Sequence, residues 1–159
     1  MRIATSDGLF TWLYTLRDGR GAPGLATVEM KALKSEGTIT VGDVRYGFQQ
    51  TDLWGKRIVL TFEGIELATA TRTSSWSSKT EVAFAPGGLL VPDLHLVPLG
   101  AFQVGFHVND DADERLGRIE RKGFLKTTFH LRLPDEVPLA VQGFLTALAM
   151  IDLRRRQSS

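Results

Sequence analysis

Hydrophobic and polar residues alternate along most of the chain with a period of two, which is typical of strands that bury one face. The clearest example places Phe102, Val104, Phe106 and Val108 on one face of a predicted strand. The same alternation predicts strands over 12–17, 58–62, 65–71, 116–119 and 127–133, with shorter strands over 27–33, 38–41, 44–49, 79–84 and 94–97.

Turn signals recur about every ten residues between these segments, which indicates a chain of antiparallel strands. Glu63 and Gly64 form the tight connection of one predicted hairpin. The pattern gives about 10–12 strands between roughly residues 10 and 133. A meander of this length must protect its edge strands, and closure does so. We therefore expect a mainly β protein, a closed antiparallel barrel in one domain over 1–159.

Residues 136–153 form the one segment with a strong helical pattern. Its stretch 137–151 is apolar on all sides, because only Gln142, Gly143 and Thr146 interrupt it. A helix of this kind is enclosed either by protein or by a membrane. A membrane span needs about 20 apolar residues, whereas about 15 residues rise only about 22 Å. We therefore expect the barrel to surround this helix.

The two ends of the predicted helix carry different signals. Asp135 is expected to cap its first turn, where Pro138 loses no backbone donor. Arg154, Arg155 and Arg156 follow the other end, where positive charge is favoured. The same arginines would suit a C-terminal membrane tether, which stays open as an alternative.

The composition excludes several kinds of binding partner and site. The 19 basic and 18 acidic side chains leave a net charge of +1, which gives no global attraction to nucleic acid or to an anionic membrane. The chain has no cysteine, which excludes disulfides, thiolate metal sites and cysteine nucleophiles. Its first residues lack the apolar core of a secretory signal, so we expect a cytoplasmic protein without a nucleic-acid partner.

Several stretches resemble a known superfamily. They are Phe102-Gln103-Val104-Gly105-Phe106-His107-Val108, Leu116-Gly117-Arg118-Ile119, Leu133-Pro134 through Pro138-Leu139, and Phe144-Leu145. With the predicted barrel and final helix, they resemble the tubby-like C-terminal superfamily, which includes the LURP-one-related proteins and the phospholipid scramblases. The resemblance implies a helix threaded through the barrel. The chain lacks the palmitoylated cysteines of scramblases, so lipid scrambling is not implied.

The best candidate binding site is a cluster of basic residues in a short stretch. Arg118 and Lys122 would share one strand face. Such a patch could bind an anionic phospholipid headgroup or an acidic protein partner, whereas the simpler interpretation is a solvated outer face. The cluster consists of Arg115, Arg118, Arg121, Lys122 and Lys126.

Other polar groups give weaker signals. The acidic loop 109–114 has oxygen ligands for calcium but lacks the glycine and distant glutamate of an EF-hand, so a solvated loop is favoured. His95, His107 and His130 have no metal-site spacing, and the last two are expected to face solvent.

Serine and tryptophan residues in predicted loops are two further candidates for functional sites. The serines of 74–78 have no general base at motif spacing. Trp54 and Trp76 are interpreted as loop anchors, each needing a partner for its indole N–H where it is buried.

Together these features predict a non-enzymatic binding or scaffold domain without a cofactor, with an anionic lipid or a protein as its expected ligand. Two alternatives stay open. One is a lipocalin-like carrier or enzyme, with the helix packed outside a hollow barrel. The other is the C-terminally tethered membrane protein described above.

Overall fold

The computed structural model describes residues 1–6, 12–73, 79–89, 92–123 and 127–157. Within this part of the chain there are twelve strands followed by one α-helix. In chain order they are β1 (Arg2–Ser6), β2 (Leu13–Arg17), β3 (Gly24–Met30), β4 (Glu36–Val41), β5 (Val44–Gln50), β6 (Arg57–Phe62), β7 (Ile65–Arg72), β8 (Thr80–Phe84), β9 (Leu94–Gly100), β10 (Gln103–Asn109), β11 (Arg115–Lys122), β12 (Thr128–Arg132) and α1 (Leu139–Gln157).

The strands form a closed antiparallel barrel, as the sequence predicts. Each strand pairs with its neighbours in sequence, and β1 pairs with β12 to close the sheet. Ala4 lies opposite Phe129 on β12 and opposite Leu16 on β2. The sequence pattern missed β1, because Ile3 is the only large apolar residue in this short strand. β1, which closes the barrel and so removes its free edges, is therefore the strand with the weakest hydrophobic pattern.

The helix α1 is enclosed by the barrel on all sides. Every residue from Ala140 to Ala147 is buried, including the polar Gln142 and Thr146. Gln142 Nε2 donates to the carbonyl of Val137 at 2.9 Å, and Thr146 Oγ1 donates to the carbonyl of Gln142 at 2.8 Å. These bonds remove the cost of burying polar groups in an apolar interior. The expected enclosed helix is thus confirmed.

The boundaries of α1 differ from those predicted. It starts at Leu139, and the carbonyl of Pro138 accepts the N–H of Gln142 at 3.0 Å. Asp135 lies in the preceding turn, closed by the bond from Val137 N–H to the carbonyl of Pro134 at 3.1 Å. The prediction that Asp135 caps the helix is therefore wrong, because the proline geometry delays the first turn.

The interior is packed so tightly that a glycine is needed on the helix. A Cβ atom on Gly143 would lie 2.6 Å from Ile39 Cγ2 and 3.6 Å from Val28 Cγ2. The helix packs most closely on β3, β4, β10 and β11, two pairs of strands on nearly opposite sides of the barrel. No helix in the described ranges is both long and apolar enough to cross a membrane.

The face of one predicted strand is only partly as expected. Phe106 and Val108 point into the core, but Phe102 lies in the turn before β10 and is fully exposed. The register between β9 and β10 shifts between Gln103 and Phe106, with Gly105 at φ 134°. Val104 also packs against the core, so the predicted face holds from Val104 onward and is wrong at Phe102, which precedes the strand.

The barrel has two distinct ends, because neighbouring strands run in opposite directions. The chain enters α1 at one end, which we call the acidic end. It comprises the described loops 18–23, 42–43, 63–64, 85–89, 92–93, 110–114 and 133–138. The helix finishes at the other, which we call the arginine end. It comprises loops 31–35, 51–56 and 101–102 and the last helical turn 154–157.

Candidate functional site

The predicted basic cluster lies on β11, but its members face different surroundings. Arg118 and Lys122 lie on the outer face and flank Glu120. Arg118 Nη2 lies 3.2 Å from Glu120 Oε1, and Lys122 Nζ lies 3.7 Å from Glu120 Oε2. Because this carboxylate is largely buried between them, it offsets part of the positive charge that the sequence indicated.

The remaining members are separated from that pair. Arg121 alternates with the outward residues, and its Nε atom is buried without a hydrogen-bond partner among the described residues. Arg115 Nε donates to Asn109 Oδ1 at 3.4 Å. Lys126 lies outside the described residues. The structure therefore brings Arg118 and Lys122 together, but the described members of the basic cluster do not form one surface.

The outer face beside Lys122 continues into an open cleft of about 460 Å³ next to loop 18–23. Arg17, Arg20 and His130 line it together with Lys122. Desolvation lowers the pKa of His130, and the basic side chains of Lys122, Arg132 and Arg20 act in the same direction, whereas Glu120 raises it. The cleft is basic but shallow.

The charge of Glu120 acts on both His107 and His130 and opposes the lowering of their pKa values, whereas His95 Nδ1 lies 4.0 Å from Asp113 Oδ1. Desolvation, followed by Arg115 and Arg118, lowers the pKa of His107. Its Nδ1 atom is buried without a partner in the described part of the chain, so the expected solvent exposure of this side chain is only partial. Among the described residues there is no group of three or more histidine or carboxylate side chains that could hold a metal ion.

The acidic loop that could have suggested calcium uses its first carboxylate to hold its own backbone. Asp110 Oδ1 accepts the N–H groups of Ala112 and Glu114, both at 2.9 Å. Asp110 N–H donates to the carbonyl of Glu114 at 2.8 Å. This arrangement is a side-chain-capped turn of the kind that aspartate commonly makes.

Charge is separated between the two ends of the barrel, although the net charge is only +1. The described loops of the acidic end contain Arg20 as their one basic residue, together with the carboxylates Asp18, Asp43, Glu63, Asp93, Asp110, Asp111, Asp113, Glu114, Asp135 and Glu136. The described arginine end contains Asp52 as its one acidic residue, together with Lys31, Lys34, Lys56, Arg154, Arg155 and Arg156. The described loops at the two ends therefore carry opposite charge, while Arg2, Arg17, Arg115 and Arg132 at strand ends offset part of the carboxylate charge of the acidic end.

The arginine end also exposes large apolar side chains. Leu33, Leu53, Trp54 and Phe102 are between 84% and 101% exposed. They lie on three different loops that surround the end of α1. The interpretation of Trp54 as a loop anchor is therefore wrong, because its side chain is exposed to solvent. Trp76 and the serines of 74–78 lie outside the described residues.

The last turn of α1 holds these three loops. Each arginine side chain donates to a backbone carbonyl of a different loop, next to an exposed apolar residue. The bonds run from Arg154 Nη1 to Lys31 (2.6 Å), from Arg155 Nη2 to Gly55 (2.6 Å) and from Arg156 Nη1 to Ala101 (3.1 Å). The apolar tips are therefore presented by a supported scaffold.

Two carboxylates stabilise the geometry of the loops at this end: Asp52 within loop 51–56, and Glu36, the first residue of β4 beside loop 31–35. Desolvation raises the pKa of Asp52, but the backbone N–H groups of Arg57 and Lys56, both 3.0 Å from its oxygens, bring it below its usual range. The hydrogen bond from Lys31 lowers the pKa of Glu36, which accepts it at 3.0 Å. Lys34 lies 3.8 Å from the same carboxylate, so Leu33 stands between two lysines that share one counter-charge.

The sequence carries a signal for this surface, which alternation of apolar and polar residues does not reveal. Glycine, proline, asparagine, aspartate and serine normally predominate in turns. Each of the three loops instead places a bulky apolar residue in a turn segment: Ala32-Leu33-Lys34-Ser35, Asp52-Leu53-Trp54-Gly55 and Gly100-Ala101-Phe102. A bulky apolar side chain contributes nothing to the geometry of a turn.

Comparisons with protein-family models, with curated proteins and with solved structures find no match to this chain.

Proposed function

We propose that this protein is a non-enzymatic domain that binds the surface of anionic lipid membranes through its arginine end. The observation that carries the proposal is the presence of Leu33, Leu53, Trp54 and Phe102 as exposed tips beside basic side chains at that one end.

The apolar tips favour a lipid surface over a folded protein partner. They stand on three separate hairpin loops, so each loop can enter the boundary between headgroups and acyl chains. Tryptophan is the residue most typical of that boundary. Fully burying a large apolar side chain contributes about 1.5–3 kcal/mol, so partial insertion of four tips would give appreciable binding.

The charges favour an anionic surface and set the orientation. Each basic side chain close to an anionic leaflet contributes about 1 kcal/mol. Lys31, Lys34 and Lys56 lie on the same loops as the apolar tips, whereas the opposite end of the barrel is rich in carboxylates. The protein would therefore approach with its arginine end first.

The supported loops reduce the entropic cost of docking. Because α1 is packed in the core and its final arginines bond all three loops, little order has to be created on binding.

The position of α1 also bears on the lipocalin-like alternative. That alternative required the helix to lie outside a hollow barrel, but the helix occupies the interior. The tubby-like resemblance is part of this proposal as a statement about fold: the barrel and its enclosed helix agree with it, whereas the lipid-binding role is argued from the apolar tips and basic side chains.

The test is sedimentation with vesicles of phosphatidylcholine, with and without phosphatidylserine. We expect the wild type to bind the mixed vesicles, and Leu33→Ser/Trp54→Ser/Phe102→Ser to bind at least about tenfold more weakly. The matched control is Val44→Ser/Ile65→Ser, which removes exposed apolar residues from the other end of the barrel. Failure of the wild type to bind, or equal loss in both variants, would refute the proposal.

A further inference from the structure

A cavity lies inside the barrel beside α1, with its mouth at the arginine end. Its volume is about 70 Å³. Its lining comes from strands β6 to β10 and from the C-terminal half of α1, so it lies between the helix and that part of the barrel wall. Its apolar wall consists of strand and helix side chains: Ile58, Ala70, Leu96, Phe106, Leu148 and Ile151.

The mouth of this cavity carries more positive than negative charge. Its basic side chains are Lys56, Arg72, Arg155 and Arg156, and its one lining carboxylate is Asp152. Asp152 Oδ2 lies 3.1 Å from Arg156 Nε, while Asp152 Oδ1 lies 3.8 Å from Arg72 Nη2. The Asp152 carboxylate is therefore shared between two guanidinium groups.

Arg155 is the central group of this mouth. Its Nη2 atom donates to the carbonyl of Gly55, which accepts one of the five N–H groups that a guanidinium presents. Desolvation lowers the pKa of Arg155, and the charges of Arg72 and Arg154 act in the same direction, whereas Asp152 and Asp52 raise it. Two like charges at the edge of an apolar cavity favour the entry of an anion.

The size of the cavity limits the ligand. A single water needs about 10–15 Å³ by the same measure, so there is room for about five groups of that size. A carboxylate accepts paired hydrogen bonds from a guanidinium, which suits the mouth, and a short alkyl chain suits the wall.

We propose that this cavity binds a small monocarboxylate of about three to five carbons. Its alkyl chain packs against Ile58, Leu96 and Ile151, and its carboxylate lies between Arg72 and Arg155. This site is separate from the exposed apolar tips, and its test contains no lipid, so it stands or falls independently of membrane binding.

The test is a titration of the full chain followed by NMR of the isoleucine methyl groups, with acetate, propionate, butyrate, valerate and octanoate. We expect saturable shifts at Ile58 and Ile151, with affinity rising about fourfold per methylene from acetate to butyrate. Octanoate is too long for the cavity and should bind no better than butyrate. Butyramide, which has the same shape without the charge, should bind at least about tenfold more weakly.

Two variants locate the site. Arg155→Gln should weaken butyrate binding at least about tenfold, whereas Arg132→Gln on the remote end of β12 should leave it unchanged. Leu148→Phe fills the cavity and should abolish the shifts. If that variant does not fold, Arg72→Gln provides the second measurement. The proposal is overturned by equal binding of butyramide, by affinity that does not rise with chain length, or by no saturable shift at about 50 mM butyrate.

Discussion

Arg155 Nη2 donates a hydrogen bond of 2.6 Å to the carbonyl of Gly55, the residue directly after the exposed Trp54. The bond connects residues 100 positions apart and ties the buried helix to a loop of the proposed membrane surface. Gly55 has φ 70°, and a Cβ atom there would lie 2.8 Å from that same Nη2 atom. The contact therefore depends on glycine for both its backbone angle and its space.

Replacing Gly55, and comparing it with a glycine that needs only the backbone angle, separates the two requirements. Gly55→Ala should lower the free energy of unfolding by about 2–3 kcal/mol, because it adds left-handed backbone strain and displaces the Arg155 bond. Gly64→Ala is the matched control: Gly64 has φ 81°, but nothing lies within 4 Å of its added Cβ. Urea unfolding of both variants should show a smaller loss for Gly64→Ala. Equal losses would mean that the Arg155 contact contributes nothing.

The glycine on the buried helix gives a second stability prediction. Gly143→Ala would normally gain about 1 kcal/mol from helix propensity. Here the new methyl group would meet Ile39 Cγ2 at 2.6 Å, so we expect a net loss of about 1–2 kcal/mol. Gly19→Ala, where nothing lies within 4 Å, should be close to neutral. A stabilised Gly143→Ala protein would show that the barrel can relax around α1.

Local patterns predicted most of the fold because its main elements are decided locally. Alternation fixed the faces of strands such as β12, and the apolar stretch of α1 required an enclosed site. β1 escaped detection because its short sequence has one large apolar residue, and its place in the sheet depends on pairing with the distant β12, which no local pattern contains. The arginine end escaped because charges and apolar tips from distant loops become neighbours only when the barrel forms. A linear count of charges cannot show that separation.

Two basic surfaces compete as the anionic-lipid site, and charge removal distinguishes them. Lys31→Gln/Lys34→Gln/Lys56→Gln should weaken binding to phosphatidylserine vesicles by about tenfold or more, and should flatten its dependence on salt. Arg118→Gln/Lys122→Gln should have little effect, because Glu120 already offsets those charges. Sedimentation at increasing salt measures both. The reverse ranking would move the site to the outer face of β11.

Two partly buried histidines, His107 and His130, predict that the stability of the fold depends on pH. Desolvation is the largest cause that lowers the pKa values of His107 and His130 below that of free histidine, about 6.5. The unfolded chain therefore takes up protons more readily than the folded one. The contribution to stability is fully present above pH about 6.5 and is lost as pH falls toward the folded values.

Melting temperatures measured at about pH 7.5 and 5.5 test this dependence, since Glu36 and Asp52, whose pKa values are lowered, ionise below that window. The wild type should melt at a lower temperature at the lower pH. His107→Gln/His130→Gln should show a smaller decrease, because neither glutamine takes up a proton. Measurements between about pH 7.5 and 8.5 serve as the control, where the histidine contribution is constant. An undiminished decrease in the double variant would assign the acid sensitivity to other groups.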